Sequence, residues 1–373
     1  MAGDEFLAEP KPGPALNIPQ STSTVKVHVI DTTSKIYLPD QGLMFKPKIA
    51  LDNSVTCPSY SFLISNGSRH ILFDLGTQPD HVTPPMQRRM KKMGFGASAP
   101  KHVAQILDEH ASSTGVHSKN IEAVIWSHQH FDHTGNMDTF LKSTALVVGP
   151  GFKDAHTPAY PTNQDSAIHE SDYEGRDFRE VKMDNGLSIG GCGAFDYFGD
   201  GSFYVLDAPG HTIGHVCGLA RVSSSPDSFV LMGGDACHNP GEMRPSEYLP
   251  LPKTVKPSPL EMYASHGCPG ELLQGVHPQQ KANEPYYLPA EGFNTDTEKA
   301  IHSIARLIEL DSSEHVLVVL AHDVALYNEL PYFPETVNDW YAKGIDARTR
   351  WKFTEDFESV IESKRDDSKG SSL

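Results

Sequence analysis

From Val25 onward the chain is punctuated by short runs of β-branched and aromatic residues bounded by turn formers, the pattern that predicts strands. A first series covers Val25 to Ile30, Tyr60 to Ile64, His70 to Phe73, Ala123 to Trp126 and Ala145 to Val148. A second covers Ser202 to Leu206, His215 to Val222, Phe229 to Met232 and His315 to Leu320. Helical spacing falls between them, at Pro85 to Met93 and His102 to Ala111. Before the last strand, Asp296 or Thr297 can cap a helix with Ala300, Ile301, Ile304, Ala305, Leu307 and Ile308 inward and Lys299, Arg306 and Glu309 outward. The pattern has neither strict βαβ alternation nor a short repeat, and it predicts an α/β protein of two helix-covered sheets.

Several stretches fall outside this pattern. Residues 1–22 are rich in Pro, Gly, Ser and Thr and read as a flexible N-terminal tail, or one draped on the surface. Gly151 to Glu180 is polar and irregular. Pro240 to Phe293 carries many of the prolines together with Tyr248, Tyr263, Tyr286 and Tyr287, and a long segment of this kind reads as an ordered cover. The expected organisation is one domain over residues 23–365 with an insertion at about 240–293, followed by a polar tail at 366–373.

Composition narrows the function. The chain has 373 residues and a formal net charge of −17, which argues against binding to phosphate backbones, so no nucleic-acid partner is expected. No apolar run approaches the roughly 18 residues of a membrane span, and the N-terminus lacks the pattern of a secretory signal. A soluble, cytoplasmic protein without a membrane partner is the expectation. Cys57, Cys192, Cys217, Cys237 and Cys268 are scattered and odd in number, which fits a reducing compartment.

Histidine, with 19 residues, changes the picture because it clusters. Ser127-His128-Gln129-His130-Phe131-Asp132-His133 follows the run ending at Trp126. If the segment is extended, His128, His130 and Asp132 project to one side, and His133 follows where a helix can begin. Other strand ends carry ligand-type residues: His211 in Asp207-Ala208-Pro209-Gly210-His211, Asp235 after Gly233-Gly234, and His322 in Ala321-His322-Asp323. The glycine before His211 would let backbone approach a metal closely. Imidazoles suit zinc, and carboxylates beside them can hold a second ion. His128, His130 and His211 would surround one ion and Asp132, His133 and His322 the other, with Asp235 left as the bridge.

Taken in order, the HxHxDH segment, the Pro-Gly-His turn, the Gly-Asp and the Ala-His-Asp resemble the metallo-β-lactamase superfamily. Phe73-Asp74-Leu75-Gly76 resembles its first motif, whose aspartate supports the metal loop. The resemblance covers about residues 25–345 and implies an αββα four-layer sandwich, here with a long Pro/Tyr-rich insertion. It implies two Zn2+, other divalent metals being possible, on His128, His130, Asp132, His133, His211, Asp235 and His322. His133 and His322 place the chain beside the N-acyl-homoserine lactonase and glyoxalase II side, with fungal lactonases and benzoxazolinone γ-lactamases as similar sequences. Flavo-diiron members carry glutamate where His130 stands, so hydrolysis on zinc is the expectation.

The implied reaction opens a lactone or lactam, a small secondary metabolite or xenobiotic, by attack of a metal-bridging hydroxide, in a detoxifying role. Asp132 would relay the proton to the leaving group. The lactonases have a tyrosine three residues after the bridging aspartate; here His238 occupies that place as a second candidate catalytic group. Asp74 and Asp323 would orient imidazoles. The insertion, through its tyrosines, could form a lid over a flat ligand, a homodimer contact, or both.

The alternatives are a glyoxalase II-like thioesterase, using Lys343, Arg348, Arg350 and Lys352, and a mononuclear iron persulfide dioxygenase. The second would leave Asp132, His133 and His322 without a metal. His215 and Cys237 read as structural, as do His156, His169, His266 and His277 unless one touches substrate; Tyr286 and Tyr287 fit core or lid equally.

Overall fold

The structure, a computed structural model, describes residues 5–49 and 54–370. Two six-stranded sheets form its centre. In the first the strand order is Lys26–Asp31, Tyr60–Asn66, Arg69–Phe73, Ile121–Ile125, Ala145–Val148 and Phe178–Glu180. Its first three strands pair antiparallel and its last four parallel. The second sheet runs Ser188–Ile189, Cys192–Asp196, Phe203–Asp207, Val216–Ser224, Asp227–Met232 and Val316–Val319, with only its last pair parallel.

Alternation along these strands explains why both faces are dry. Val27, Val29, Ile71, Phe73, Ala123 and Ile125 point inward to meet Phe203, Val205, Val230, Met232, Leu317 and Val319 of the second sheet. The intervening residues point outward. Leu72, Val124, Leu146 and Val148 pack beneath the helix Val103–Glu109, and Tyr204, Leu206, Leu231 and Val318 beneath the helix Thr297–Asp311. Helix, sheet, sheet, helix is the four-layer arrangement expected, since a strand buried on both faces must be apolar at every position.

The helix Thr297–Asp311 begins where its cap predicts, the Asp296 side chain accepting from the Lys299 amide at 3.1 Å. Its buried face differs from the expected one. Ile301 is 45% exposed and Ala305 is exposed, whereas Ser303 and Leu310 are buried. Ser303 Oγ donates to the carbonyl of Pro209, so a polar residue satisfied by the neighbouring turn occupies the inner face.

The N-terminal tail, expected to be flexible or draped on the surface, is held by hydrogen bonds from residue 5. Leu7 donates to the Leu251 carbonyl and Lys11 to that of Glu247, the Lys253 amide donates to the Glu5 carbonyl, and the buried Arg221 holds the carbonyl of Pro19. Backbone partners supply what its composition did not reveal. The polar tail expected at 366–373 is, as far as residue 370, the end of the helix Glu358–Gly370; residues 371–373 lie outside the described residues.

The insertion folds as a cluster of its own. Leu249, Leu251, Val255, Leu273, Tyr286 and Tyr287 pack with Phe353 and Phe357 of the C-terminal segment. A small sheet of Lys35–Leu38, Val55–Cys57 and Gly96–Ser98 adjoins it, and none of these strands was legible in the sequence pattern. No helix among the described residues is long and apolar enough to cross a membrane.

Candidate metal centre

Four strand ends converge at one edge of the sandwich. His128 follows Ile121–Ile125, His211 follows Phe203–Asp207, Asp235 follows Asp227–Met232, and His322 follows Val316–Val319. The metal loop is not extended throughout, as the side-chain alternation argument required. His130 begins the short helix Phe131–Thr134, and that turn groups Asp132 and His133 with His322 and not with His130 and His211. The described residues accordingly hold two ligand groups, His128, His130, His211 and Asp235 in one and Asp132, His133 and His322 in the other.

Asp235 joins them. Its Oδ2 lies 3.7 Å from His128 Nε2 and 3.5 Å from His211 Nε2. Its Oδ1 lies 3.0 Å from His133 Nε2 and 3.2 Å from His322 Nε2. His211 Nε2 is 3.0 Å from His130 Nδ1, and His322 Nε2 is 3.4 Å from Asp132 Oδ2. Ligand atoms about 2.0 to 2.2 Å from a tetrahedral ion stand about 3.3 to 3.6 Å apart, so these spacings fit one. His128 Nε2, His133 Nε2 and Asp235 Oδ1 are buried without a hydrogen-bond partner, which is costly unless something else satisfies them. The donor set therefore fits divalent metal.

Three of the candidate ligands, His133, His211 and His322, are braced from behind. Asp74, itself at a positive φ of 58°, accepts from the Ser127 amide at 2.6 Å, Ser127 Oγ at 2.8 Å and His133 Nδ1 at 2.8 Å. His322 Nδ1 donates to the Pro58 carbonyl at 2.7 Å, and His211 Nδ1 to Asn294 Oδ1 at 3.1 Å. Such contacts fix which ring nitrogen faces the centre. His215 is not a ligand: its Nδ1 donates to the Ala208 carbonyl and its Nε2 accepts the Asp235 amide at 3.0 Å. Asp323 does not orient an imidazole in the way expected; its carboxylate caps the turn at Ala325. Gly210 serves helix packing rather than the approach to a metal, since a Cβ there would sit 2.1 Å from the Ala300 nitrogen.

Electrostatics sort the imidazoles. Burial, reinforced by neighbouring imidazoles, holds His128 and His211 far below their ordinary range and His130 at about 4, leaving them neutral and able to ligate. Burial opposes charge on His133 as well, but Asp235 and Asp74 outweigh it and raise that group to about 10. Asp235 is held well below its usual range, because His133 and His322 outweigh its burial.

Two cavities open on the centre. One, of about 250 Å³, is walled by Ile36, Leu38, Met86, Phe95, Phe131 and Phe293 and reaches His130, Asp132 and Asp235. The other lies beyond His238 and His322, which line both. His238 is buried, with Nε2 3.3 Å from Asp235 Oδ2 and its ring 5.1 Å from that of Phe293. Sequence reasoning missed the apolar wall; Ile36 and Leu38 come from the small sheet, Met86 from the helix Pro84–Met93, Phe131 from the metal loop and Phe293 from the insertion, and only the fold brings them together.

The tyrosines of the insertion do not face ligand. Tyr286 and Tyr287 are core, packed on Phe357, and the insertion reaches the cavities at its two ends, through Pro240, Gly292 and Phe293. Cys237 is buried and donates to the Asn239 carbonyl. His156, His169 and His277 contact backbone carbonyls, and none of them lines either cavity. The cations a glutathione site would need are paired with acids: Lys343 with Asp339, Arg348 and Lys352 with Glu329, and Arg350 with Asp346.

Comparison with known proteins agrees with this geometry. Residues 55–322 match the family model described as the metallo-beta-lactamase superfamily. The chain is 43% identical to the metallo-hydrolase mfmC of Annulohypoxylon moriforme, over 93% of this chain and 91% of that protein. It is 38% identical to the gamma-lactamase FDB1 of Fusarium pseudograminearum, over 94% of this chain and 86% of the other. A longer relative, the cytochrome P450 monooxygenase mpaDE of Penicillium roqueforti, is 43% identical over 97% of this chain, which spans 41% of its length. Among solved structures, a quorum-quenching N-acyl homoserine lactone hydrolase superposes with a TM-score of 0.54 at 17% identity, covering 85% of this chain and all of that one. With the family model spanning the HxHxDH loop, His211, Asp235 and His322, this chain belongs to the metallo-β-lactamase superfamily and is a metal-dependent hydrolase.

Proposed function

We propose that the protein is a dinuclear zinc hydrolase that opens a small cyclic amide or ester. The observation that carries this reading is the split carboxylate of Asp235, one oxygen turned to His128 and His211 and the other to His133 and His322. A mononuclear iron site would have no use for the second group. Five imidazoles and two carboxylates suit zinc. The names of the relatives support it, metallo-hydrolase for metal-dependent hydrolysis and gamma-lactamase for a small ring as substrate.

His128, His130 and His211 would hold one ion, Asp132, His133 and His322 the other, and Asp235 both. Two bound divalent ions supply Lewis acidity to a ring carbonyl and a water-derived nucleophile near neutral pH. The residues do the rest. Ile36, Leu38, Phe95 and Phe131 seat the ring and exclude water. His238 Nε2, buried without a hydrogen-bond partner, is placed to donate to the substrate as the ring opens. Asp132, at the floor of the apolar cavity, carries the proton to the departing nitrogen or oxygen.

The test is turnover by zinc-loaded protein of benzoxazolinone, simple γ- and δ-lactones, an acyl-homoserine lactone and a glutathione thioester. Ring opening that Asp235→Asn reduces by more than about a hundredfold is expected. Turnover of the thioester alone would overturn the reading.

A further inference from the structure

The second cavity, of about 310 Å³, lies between the metal centre and the C-terminal segment and is lined by His238, Asn239, His322, Asp323, Lys352 and Asp356, among others. Its lining is more polar than that of the apolar cavity, although Met44, Val55 and Phe353 also contribute. Lys352 is engaged with Glu329 at 2.5 Å, so the one cation lining the cavity is not available to an anion. Asp323 caps its own turn through Oδ1 and its side chain is buried, so little of it is open to the cavity.

Asp356 is different. Its side chain is open to solvent, yet protein surrounds it closely enough that burial pushes its carboxyl up to about 6, with Glu355 adding to the shift. A group both accessible and desolvated belongs to the wall of a concave site. One oxygen, Oδ2, accepts from Asn239 Nδ2 at 3.3 Å. The amide of Asn239 cannot turn over freely, because its Oδ1 accepts from the Gly241 amide at 2.8 Å. Among the described residues no donor is bonded to Asp356 Oδ1. The cavity therefore has on its wall a carboxylate held through one oxygen by Asn239, and His322 of the metal centre also lines it.

We propose that this cavity is a second substrate subsite, in which Asp356, positioned by Asn239, binds a hydrogen-bond-donating substituent, a hydroxyl or N–H group, on a ring seated over the metals. The substrate class is then an aromatic lactone or lactam with an apolar face for one cavity and a donor for the other. The inference rests on the ring-opening reading for the identity of the ring, and not for the acceptor. An alkyl-chain lactone without a donor uses only the apolar cavity.

Binding tests it without turnover. The probes are 1,3-dihydroisobenzofuran, a ring that cannot be hydrolysed, and its ring-hydroxylated and ring-amino counterparts, titrated calorimetrically into zinc-loaded protein. A charge-assisted hydrogen bond gives the hydroxyl or amino probe an advantage of about tenfold or more. Asp356→Ala abolishes that advantage with metal content unchanged, and Asp356→Asn, the safer variant for folding, reduces it. Equal binding of all three probes to wild type overturns the proposal, as does no binding of any of them, or an equal loss for all on Asp356→Ala. Probe discrimination without hydrolysis of any ring would overturn the ring-opening reading and leave the subsite standing.

Discussion

At the scale of the residue, the centre depends on groups that never touch a ligand. His215 is fully buried and neutral, and it accepts the amide of Asp235 while its other nitrogen donates to Ala208. The backbone of the bridging carboxylate is thereby fixed from one side, and Gly234 is needed beside it because a Cβ would come within 2.9 Å of the same imidazole nitrogen. His215→Leu leaves a buried N–H without an acceptor, a loss of about 1–3 kcal/mol in stability. The same variant weakens zinc retention against a chelator by about 10–100-fold, the range for groups that orient ligands. Unchanged retention in competition with that chelator would show that Asp235 holds its place unaided.

The elements of the sandwich were legible because they are buried on two sides. A run such as Ala145 to Val148 is apolar at every position, and its bounds agree with the strand observed. The candidate ligands His128, His211, Asp235 and His322 were legible for a related reason, each standing just after a strand. What the sequence hid depends on contacts between distant segments. The strand Lys35–Leu38 is exposed at alternate positions and short, and its inner residues Ile36 and Leu38 become a cavity wall only once Phe131 and Phe293 face them. The turn that separates Asp132 from His130 was likewise invisible to a period-two argument, because a single helical turn carries no periodicity of its own. Tyr286 and Tyr287 show the converse: in an irregular segment they fitted core or lid equally, and Phe353 and Phe357, far along the chain, decide it by burying them.

At the scale of the molecule, the insertion is tied to the sandwich by a buried ion pair. Arg244 contacts both oxygens of Asp311, at 2.8 and 2.5 Å, and donates to the Arg350 carbonyl at 2.7 Å. One guanidinium thus joins the insertion, the end of the helix Thr297–Asp311 and the C-terminal segment. Burial alone would raise Asp311, but Arg244 outweighs it and holds the carboxyl below its ordinary 3.8. The folded-state value is depressed, so this stabilisation is present above the unfolded value and is lost as pH falls through the folded one. Arg244→Met costs about 3–5 kcal/mol at neutral pH, because it strands a buried charge, and Arg244→Met with Asp311→Leu recovers most of that. Denaturant unfolding from about pH 6 down to pH 2 should show wild type losing stability relative to the double variant toward acid. A constant difference would place the stabilisation elsewhere.

The two halves of the sandwich also meet at the metal loop, where the Val216 amide donates to the Ser127 carbonyl at 2.9 Å. Both ligand groups, and the carboxylate between them, are therefore one assembly drawn from both sheets. The most direct test of that account is the number of zinc ions per chain, measured by mass spectrometry on wild type, His211→Ala and His322→Ala. Two ions in wild type and about one in each variant are predicted, since each substitution removes a ligand from one group only. A single ion in wild type, kept in His322→Ala and lost in His211→Ala, would contradict the dinuclear centre.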